Sequence, residues 1–249
     1  MLLMAWMGVL FAQSNLNKGL TAFNQRAEGS IEDKARPEPI NKAIKFYQLA
    51  LREPEDEIEA VIGLLKSYYY KGKYVAESDD QKKYIFDQAK QLASIYMKQY
   101  SDRADLRYWY LSNLGSWAEV YGILTAAREG VADQMREHAE KIIELEPEYQ
   151  NGGGYLLLGA VHYKSPYIPF ILSWPDNKEA VKFLEKSTII GYATPVQKVY
   201  LAQALYKERE RKRAIKLLNE VANMSPSTNN SLSDWEQIKK ARELLKKYN

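Results

Sequence analysis

The chain has 249 residues, of which 46% are hydrophobic, so it is long enough to bury a substantial core. Its net charge is only +3, with 35 basic residues mixed among 32 acidic ones, which does not indicate a nucleic-acid partner. The chain contains no cysteine, which excludes disulfides, thiolate metal sites, cysteine nucleophiles and lipidation on cysteine.

The sequence begins with an apolar run, MLLMAWMGVLFAQSN, which extends from Leu2 to Ala12. The run is shorter than the roughly 20 residues of a membrane-spanning helix, but it has the length of a signal-peptide core. Ala12-Gln13-Ser14 places small residues where a signal peptidase reads them. We therefore interpret residues 1–14 as a signal peptide and expect an exported protein whose domain spans residues 15–249. The alternative is a buried N-terminal helix.

Helical periodicity dominates from residue 40 onward. In INKAIKFYQLAL, apolar residues recur at Ile40, Ala43, Ile44, Tyr47 and Leu51, which is the i, i+3, i+4 spacing of an amphipathic helix. Glycine and proline fall between the helical segments, where they act as breakers. These patterns predict an all-α protein.

The helices show the offsets of the tetratricopeptide repeat, a pair of antiparallel helices in about 34 residues. The first helices are predicted at Leu111-x-x-Leu114-Gly115 and Tyr155-x-x-Leu158-Gly159, where each glycine should let the paired helix approach closely. We predict a tetratricopeptide-like, right-handed solenoid of antiparallel helix pairs, because one pair cannot bury its own apolar face. The residues that match second-helix offsets are Ala43, Tyr47, Ala50 and Pro54; Ala89, Ala93 and Tyr96; Met135, Ala139, Ile142 and Pro147; and Ala214, Leu218, Val221 and Pro226.

One helix, around YWYLSNLGSW (108–117), is unusually rich in aromatic residues. We expect Leu111, Leu114, Gly115 and Ala118 to form its packing face, so that other side chains face the concave groove of the solenoid. Aromatic walls with a few hydrogen-bonding groups suit small molecules or peptides, although an ordinary core helix is the alternative. The residues predicted to line the groove are Ile62, Tyr69, Tyr70, Trp109, Ser112, Ser116, Val120, Leu156, Tyr163, Val199 and Tyr206.

An apolar insert, Ser165–Trp174, interrupts the repeat pattern. Ala180, the expected second-helix alanine, follows Gly159 by 21 positions, where the repeat requires about 12. Prolines restrict the backbone of the insert, so we expect it to fold back over the repeat of Tyr155 and Val181. Its apolar side chains either pack only within the domain or also form a partner surface. The predicted partner-contact residues are Tyr167, Ile168, Phe170, Ile171 and Trp174.

Catalytic and metal-binding motifs are missing from the sequence. His138 and His162 lie in different predicted helices without HExxH spacing, so both are interpreted as structural histidines. The run 152–154 (GGG) lacks the Gly-Lys-Ser/Thr of a phosphate loop and any preceding strand, which favours a hinge. No carboxylate pair stands out as an acid–base couple. We expect a protein that is not an enzyme and needs no cofactor or metal.

Three segments resemble the T component of tripartite ATP-independent periplasmic (TRAP) transporters: RYWYLSNLGSWAEVYGILTA, IIELEPEYQNGGGYLLLGAVHYKSP and AVKFLEKSTIIG. The resemblance covers about residues 80–226. It implies a helical periplasmic solenoid that associates with the substrate-binding subunit and offers a hydrophobic passage or pocket. Unlike many family members, this chain has no cysteine for lipidation, and SWPDNK replaces a glycine-rich turn. The matching residues are Trp109, Asn113, Gly115, Trp117, Tyr149, Gly153, Leu158 and Gly159; of these, Asn113 and Trp117 join the predicted groove.

These observations leave two functions open. The first is a periplasmic accessory of a TRAP-type transporter, which binds a small, partly apolar organic ligand, the substrate-binding subunit, or both. The second is a tetratricopeptide scaffold of the cell envelope that mediates protein–protein interactions. A homo-oligomer is compatible with either function.

Overall fold

A computed structural model describes residues 13–168, 170 and 172–248. Within these residues the regular structure is helical, apart from two isolated β-bridges. Ser14 caps the first helix by accepting a hydrogen bond from the backbone N–H of Asn17. The predicted signal peptide lies mostly outside the described residues and stays a prediction. The helices are α1 (Asn15–Asn24), α2 (Pro37–Ala50), α3 (Glu57–Tyr74), α4 (Asp79–Gln99), α5 (Ala104–Tyr121), α6 (Ile123–Arg128), α7 (Val131–Leu145), α8 (Gly153–Lys164), α9 (Asn177–Ile189), α10 (Pro195–Lys207), α11 (Arg211–Ala222) and α12 (Ser231–Tyr248).

The helices pack as consecutive pairs, which confirms the predicted solenoid. The pairs are α1 with α2, α3 with α4, α5 with α7, α8 with α9, and α10 with α11. The short helix α6 lies between α5 and α7, and it begins after Gly122, whose φ of 86° ends α5. Among the described residues, no helix combines the length and apolar character that crossing a membrane requires.

The second helix of each pair supplies small residues to the interior, as the repeat offsets predict. Alanine at these positions lets the first helix of the pair lie close, while neighbouring large side chains fill the flanking space. These alanines are completely buried: Ala43, Ala89, Ala139, Ala180 and Ala214.

The two glycines predicted at close helix contacts differ from one another. A Cβ atom on Gly159 would lie 2.6 Å from Cγ of Leu184 and 3.1 Å from the carbonyl oxygen of Ala180, so α8 and α9 touch there. At Gly115 the nearest atom would be Cε of Met135, at 3.8 Å. The predicted close contact at Gly115 is therefore wrong, because this residue faces the interior space between helices instead of a partner helix.

The C-terminal helix α12 contributes to both hydrophobic cores of the protein. Its first turn places Leu232 in the core that is built around α2 to α5, whereas Ala241, Leu244 and Tyr248 pack in the second core with α9 to α11. Sequential stacking alone would leave α12 beside α11 only. The solenoid is thus closed by its last helix, which also covers the interior space.

Candidate functional site

The interior groove is a cavity of about 1260 Å³, enclosed mainly by the first helices of the pairs (α3, α5, α8 and α10) and by α12. First helices line the concave side of a solenoid because the second helices pack outside them. The predicted groove residues that the structure places in the lining are Tyr69, Tyr70, Trp109, Ser112, Ser116, Leu156 and Val199.

The inner face of α5 is rotated slightly from the predicted one. Tyr108, Ser112, Gly115 and Glu119 follow one another at helical spacing along the lining, and Leu111 and Ala118 also contribute to it. The prediction had assigned Gly115 and Ala118 to the packing face. That assignment is wrong because α5 borders the groove over a wide arc, between α3 on one side and α7 and α8 on the other.

Six predicted groove residues lie outside the lining. Ile62 is buried in the first core. Asn113 donates hydrogen bonds to the carbonyl oxygens of Leu65 (3.0 Å) and Trp109 (2.7 Å), so it ties α5 to α3. The assignment failed because these side chains meet other helices within the stack. The six are Ile62, Asn113, Trp117, Val120, Tyr163 and Tyr206.

Trp117 and Tyr206 make strong contacts away from the groove. The indole N–H of Trp117 donates to Asp87 of α4 at 2.7 Å, and its ring stacks with that of Tyr121. The ring of Tyr206 stacks flat on Tyr248 of α12, with ring centroids 3.5 Å apart. Both residues therefore hold helices together and do not line the groove.

Aromatic rings cluster at the end of the groove formed by α3 and α5. Trp109 meets Tyr69 edge-on at a centroid distance of 5.8 Å and Tyr108 at 5.3 Å. Its indole N–H donates to the hydroxyl of Tyr149 at 3.2 Å, and burial raises the pKa of Tyr69 to about 12. These rings form a wall of fixed geometry whose phenols stay neutral at physiological pH.

Two ion pairs link described residues across the groove. Lys73 of α3 pairs with Glu236 of α12, and Lys164 of α8 pairs with Glu119 of α5. Burial alone would lower the pKa of Lys73, but the neighbouring Tyr69 and Glu236 outweigh burial and raise it. The helices that face each other across the groove are thus joined by charge, and α12 is part of this network.

The insert between α8 and α9 is anchored at one end and exposed at its tip. Trp174 donates its indole N–H to Asp133 of α7 at 2.7 Å, and its ring meets His162 of α8 at 4.8 Å. Leu172 is buried and lines the groove. The anchor on α8 belongs to the repeat of Tyr155 and Val181, over which the insert is predicted to fold, whereas the anchor on α7 lies outside that repeat.

The tip of the insert is a small hairpin. Ile168 and Leu172 form a β-bridge, which brings Phe170 to the turn with a φ of 64° and a fully exposed side chain. Tyr167 is also exposed. Ile171 lies outside the described residues. Tyr167 and Phe170 thus expose apolar ring surface at the tip of the insert.

His162 should make the insert sensitive to acid. Its Nδ1 accepts the backbone N–H of Asp176 at 3.2 Å, and burial lowers the pKa of its ring, with Glu179 and Asp176 opposing this effect. Because the folded pKa lies below the unfolded value of about 6.5, the neutral ring stabilises the fold above that pH. This contribution should be lost as the pH falls below about 6.5.

The test compares urea unfolding of the wild-type protein and of His162→Asn at pH 7 and pH 5. Asparagine keeps an acceptor oxygen near the Nδ1 position and does not titrate, so the variant should lose less stability on acidification. His138, whose pKa burial also lowers, remains in both proteins and contributes equally to their pH dependence. An equal loss in the two proteins would contradict the role of His162.

Several features of the groove are not predictable from local sequence patterns. The roles of α12, Lys73 and Glu236 depend on contacts between residues more than 160 positions apart, which local periodicity does not show. Among the described residues, no group of three or more histidine, aspartate and glutamate side chains is arranged to hold a metal ion. The groove is lined by aromatic rings, hydroxyl groups and charged side chains.

Comparison with known proteins supports the fold. No protein-family model and no curated protein matches the sequence. Among solved structures, the chain is similar to the crystal structure of a thermophilic TPR protein from Thermus thermophilus, with a TM-score of 0.62 at 13% sequence identity. The match covers 93% of this chain and 97% of that one. At this low identity the similarity concerns architecture, and it establishes a tetratricopeptide-like helical solenoid.

Proposed function

We propose that the protein is an exported, non-enzymatic binding protein of the cell envelope that uses its interior groove and the tip of its insert as binding surfaces. The observation that carries this proposal is the groove itself, which is large, lined by aromatic rings and crossed by ion pairs. Tetratricopeptide solenoids present their concave surfaces for binding. The apolar N-terminal run supports export.

The size of the groove bears on what it holds. Its volume of about 1260 Å³ exceeds the roughly 300–1,000 Å³ of typical small-molecule pockets. A small, partly apolar ligand would therefore occupy only a part of the groove, and the aromatic end near Trp109 is the part best suited to it. The remaining space is sufficient for a second ligand or a segment of a partner.

The finer proposal is that the protein serves a TRAP-type transporter as its T component and contacts the substrate-binding subunit. The support is the resemblance of the α5, α7–α8 and α9 segments to that family. The hairpin tip, with Tyr167 and Phe170 exposed, provides an apolar surface for such a subunit. The site residues of this interaction would then be at the tip and at the mouth of the groove beside it.

Calorimetry with purified TRAP substrate-binding subunits of the source organism tests this proposal. We expect binding to the wild-type protein, weakened at least tenfold by the double change Tyr167→Ser and Phe170→Ser, because the tip would lose its apolar contact area. Ile95→Ser is the matched control, since Ile95 is a similarly exposed apolar residue on α4, away from the tip. Its affinity should equal that of the wild-type protein.

Absence of binding by the wild-type protein would contradict the transporter role. The alternative, a scaffold that mediates protein–protein interactions in the envelope, would then be preferred. The volume of the groove favours this alternative, because it exceeds the space that a small ligand fills.

A further inference from the structure

Two cations of the groove stand out because no described residue provides them with a carboxylate partner. Among the residues that the structure describes, six lysine and arginine side chains line the groove. Four of them form ion pairs with carboxylates: Lys73, Lys164, Lys239 and Lys240. In the described part of the chain, Arg26 and Lys66 have no carboxylate within ion-pair distance. Both lie at the aromatic end.

In the described part of the lining, the five carboxylates already have partners. Four of them pair with the lysines named above: Asp33, Glu119, Glu236 and Glu243. The fifth, Asp234, accepts hydrogen bonds from the backbone and hydroxyl of Ser227, at 2.8 and 2.7 Å. None of these carboxylates therefore forms an ion pair with Arg26 or Lys66.

Carboxylates outside the groove do not neutralise Lys66 either. Asp105 and Glu59, whose charges act on Lys66, both bind Arg103, at 2.7 and 2.8 Å. Burial lowers the pKa of Lys66, and the nearby positive charge of Arg26 also disfavours its ammonium form. Burial likewise lowers the pKa of Arg26. Two half-buried like charges without counterions are a state that an anion would stabilise.

Both cations lie beside aromatic rings, and Arg26 is near enough for its charge to act on Lys66. Lys66 and Tyr70 are one turn apart on α3, and the guanidinium of Arg26 lies 5.5 Å from the ring centroid of Tyr70. The Lys66 ammonium lies 5.8 Å from the ring centroid of Trp109. Arg26 spends one donor on the carbonyl oxygen of Phe23, at 3.0 Å, so other N–H groups of its guanidinium remain for a ligand.

We infer that this end of the groove binds a small organic anion, with its oxyanion group between Arg26 and Lys66 and its apolar body against Tyr69 and Trp109. The inference rests on the proposed function in that it requires the groove to admit a ligand. The chemical class is an apolar or aromatic body with one carboxylate, sulfonate or phosphate group. An arginine fork and an ammonium together match the geometry and charge of such a group.

The experiment uses two fluorescent probes with the same body. 1-Anilinonaphthalene-8-sulfonate carries an anionic group, and N-phenyl-1-naphthylamine is its neutral counterpart. We expect the full-length mature protein to bind the anionic probe at least tenfold more tightly than the neutral one at low ionic strength. Because the naphthalene body is shared, the difference reports on the charge, and added salt should reduce it.

Substitutions of Lys66 and Arg26 test whether these two cations cause the preference for the anionic probe. Lys66→Met and Arg26→Gln should each lower the ratio of anionic to neutral probe affinity about tenfold, whereas Lys66→Arg should keep it. Lys182→Met removes the same charge from an exposed position on α9 and should leave the ratio unchanged. Thermal unfolding of each variant verifies that it is folded. Displacement by benzoate or by phenyl phosphate then distinguishes a carboxylate site from a phosphate site.

The outcomes separate this inference from the proposed function. Equal affinity of the wild-type protein for both probes, or a ratio unaffected by Lys66→Met and Arg26→Gln, would overturn the anion site while the groove remains a binding site for neutral ligands. If neither probe binds and partner binding persists, the groove does not take small ligands and the anion site is wrong as well.

Discussion

Replacement of Gly159 by leucine should destabilise the fold by about 1–3 kcal/mol, because the new side chain overpacks the contact between α8 and α9. A Cβ at this position already lies 2.6 Å from Cγ of Leu184 and 3.1 Å from the backbone oxygen of Ala180. The backbone oxygen cannot move away by changing a rotamer. Thermal unfolding measures the effect, since 1 kcal/mol shifts the Tm of a domain of this size by about 2–4 °C.

Gly115→Leu is the matched control for this experiment. Gly115 also lies within a first helix, but its added Cβ would meet only Cε of Met135, at an ordinary contact distance of 3.8 Å. The larger side chain would extend into the groove, and the gain in helix propensity of up to about 1 kcal/mol would make the variant equal to or more stable than the wild-type protein. Equal destabilisation by both changes would show that α5 packs as tightly as α8.

Glu236→Gln should destabilise the protein by about 2 kcal/mol, an amount between that of an exposed and a buried ion pair. Lys73 and Glu236 expose only 23% and 29% of their side chains, so water compensates incompletely when the carboxylate is lost. Glu236 also accepts a hydrogen bond from the hydroxyl of Tyr74, at 3.2 Å. The lysine would remain inside the groove with its charge largely unbalanced.

The control for this change is Glu243→Gln on the same helix. Glu243 pairs with Lys240 at 4.0 Å, and its side chain is 72% exposed, so its removal should alter the free energy of unfolding by less than about 0.5 kcal/mol. Urea unfolding compares the two variants, and hydrogen exchange of α12 shows whether the helix detaches. The same exchange rates in α12 of both variants would indicate that Glu236 does not hold this helix in place.

The repeat pattern predicted the solenoid because it reflects local packing. Ala139 and Ala214 recur where a second helix must approach its partner, and this requirement operates within about 34 residues of sequence. Seven of the predicted groove residues line the cavity for the same reason. Trp109 and Ser112 face inward because the first helices of successive pairs share one orientation.

The remaining site could not be predicted, because it depends on distant parts of the chain. Trp117 lies in the same aromatic-rich segment as Trp109, yet its indole N–H donates a hydrogen bond to Asp87 of α4 and the side chain lies outside the groove. Arg26 and Lys66 are ordinary charged residues in the sequence. Their role as candidate anion-binding residues becomes visible only in the structure, where nearby carboxylates bind other partners. Asp105 and Glu59, for example, both pair with Arg103.

Lys239 of α12 forms ion pairs with Glu32 and Asp33, and Asp33 is 206 residues away in the sequence. This contact changes how the solenoid responds to mechanical force. In an open repeat array each repeat contacts only its neighbours, so the two terminal repeats can unfold independently of one another. Here the terminal units restrain one another, so fraying of either end also requires breaking a contact with the other. Mechanical unfolding should accordingly begin with the separation of α12 from the chain segment after α1. The helix pairs should come apart only after that step.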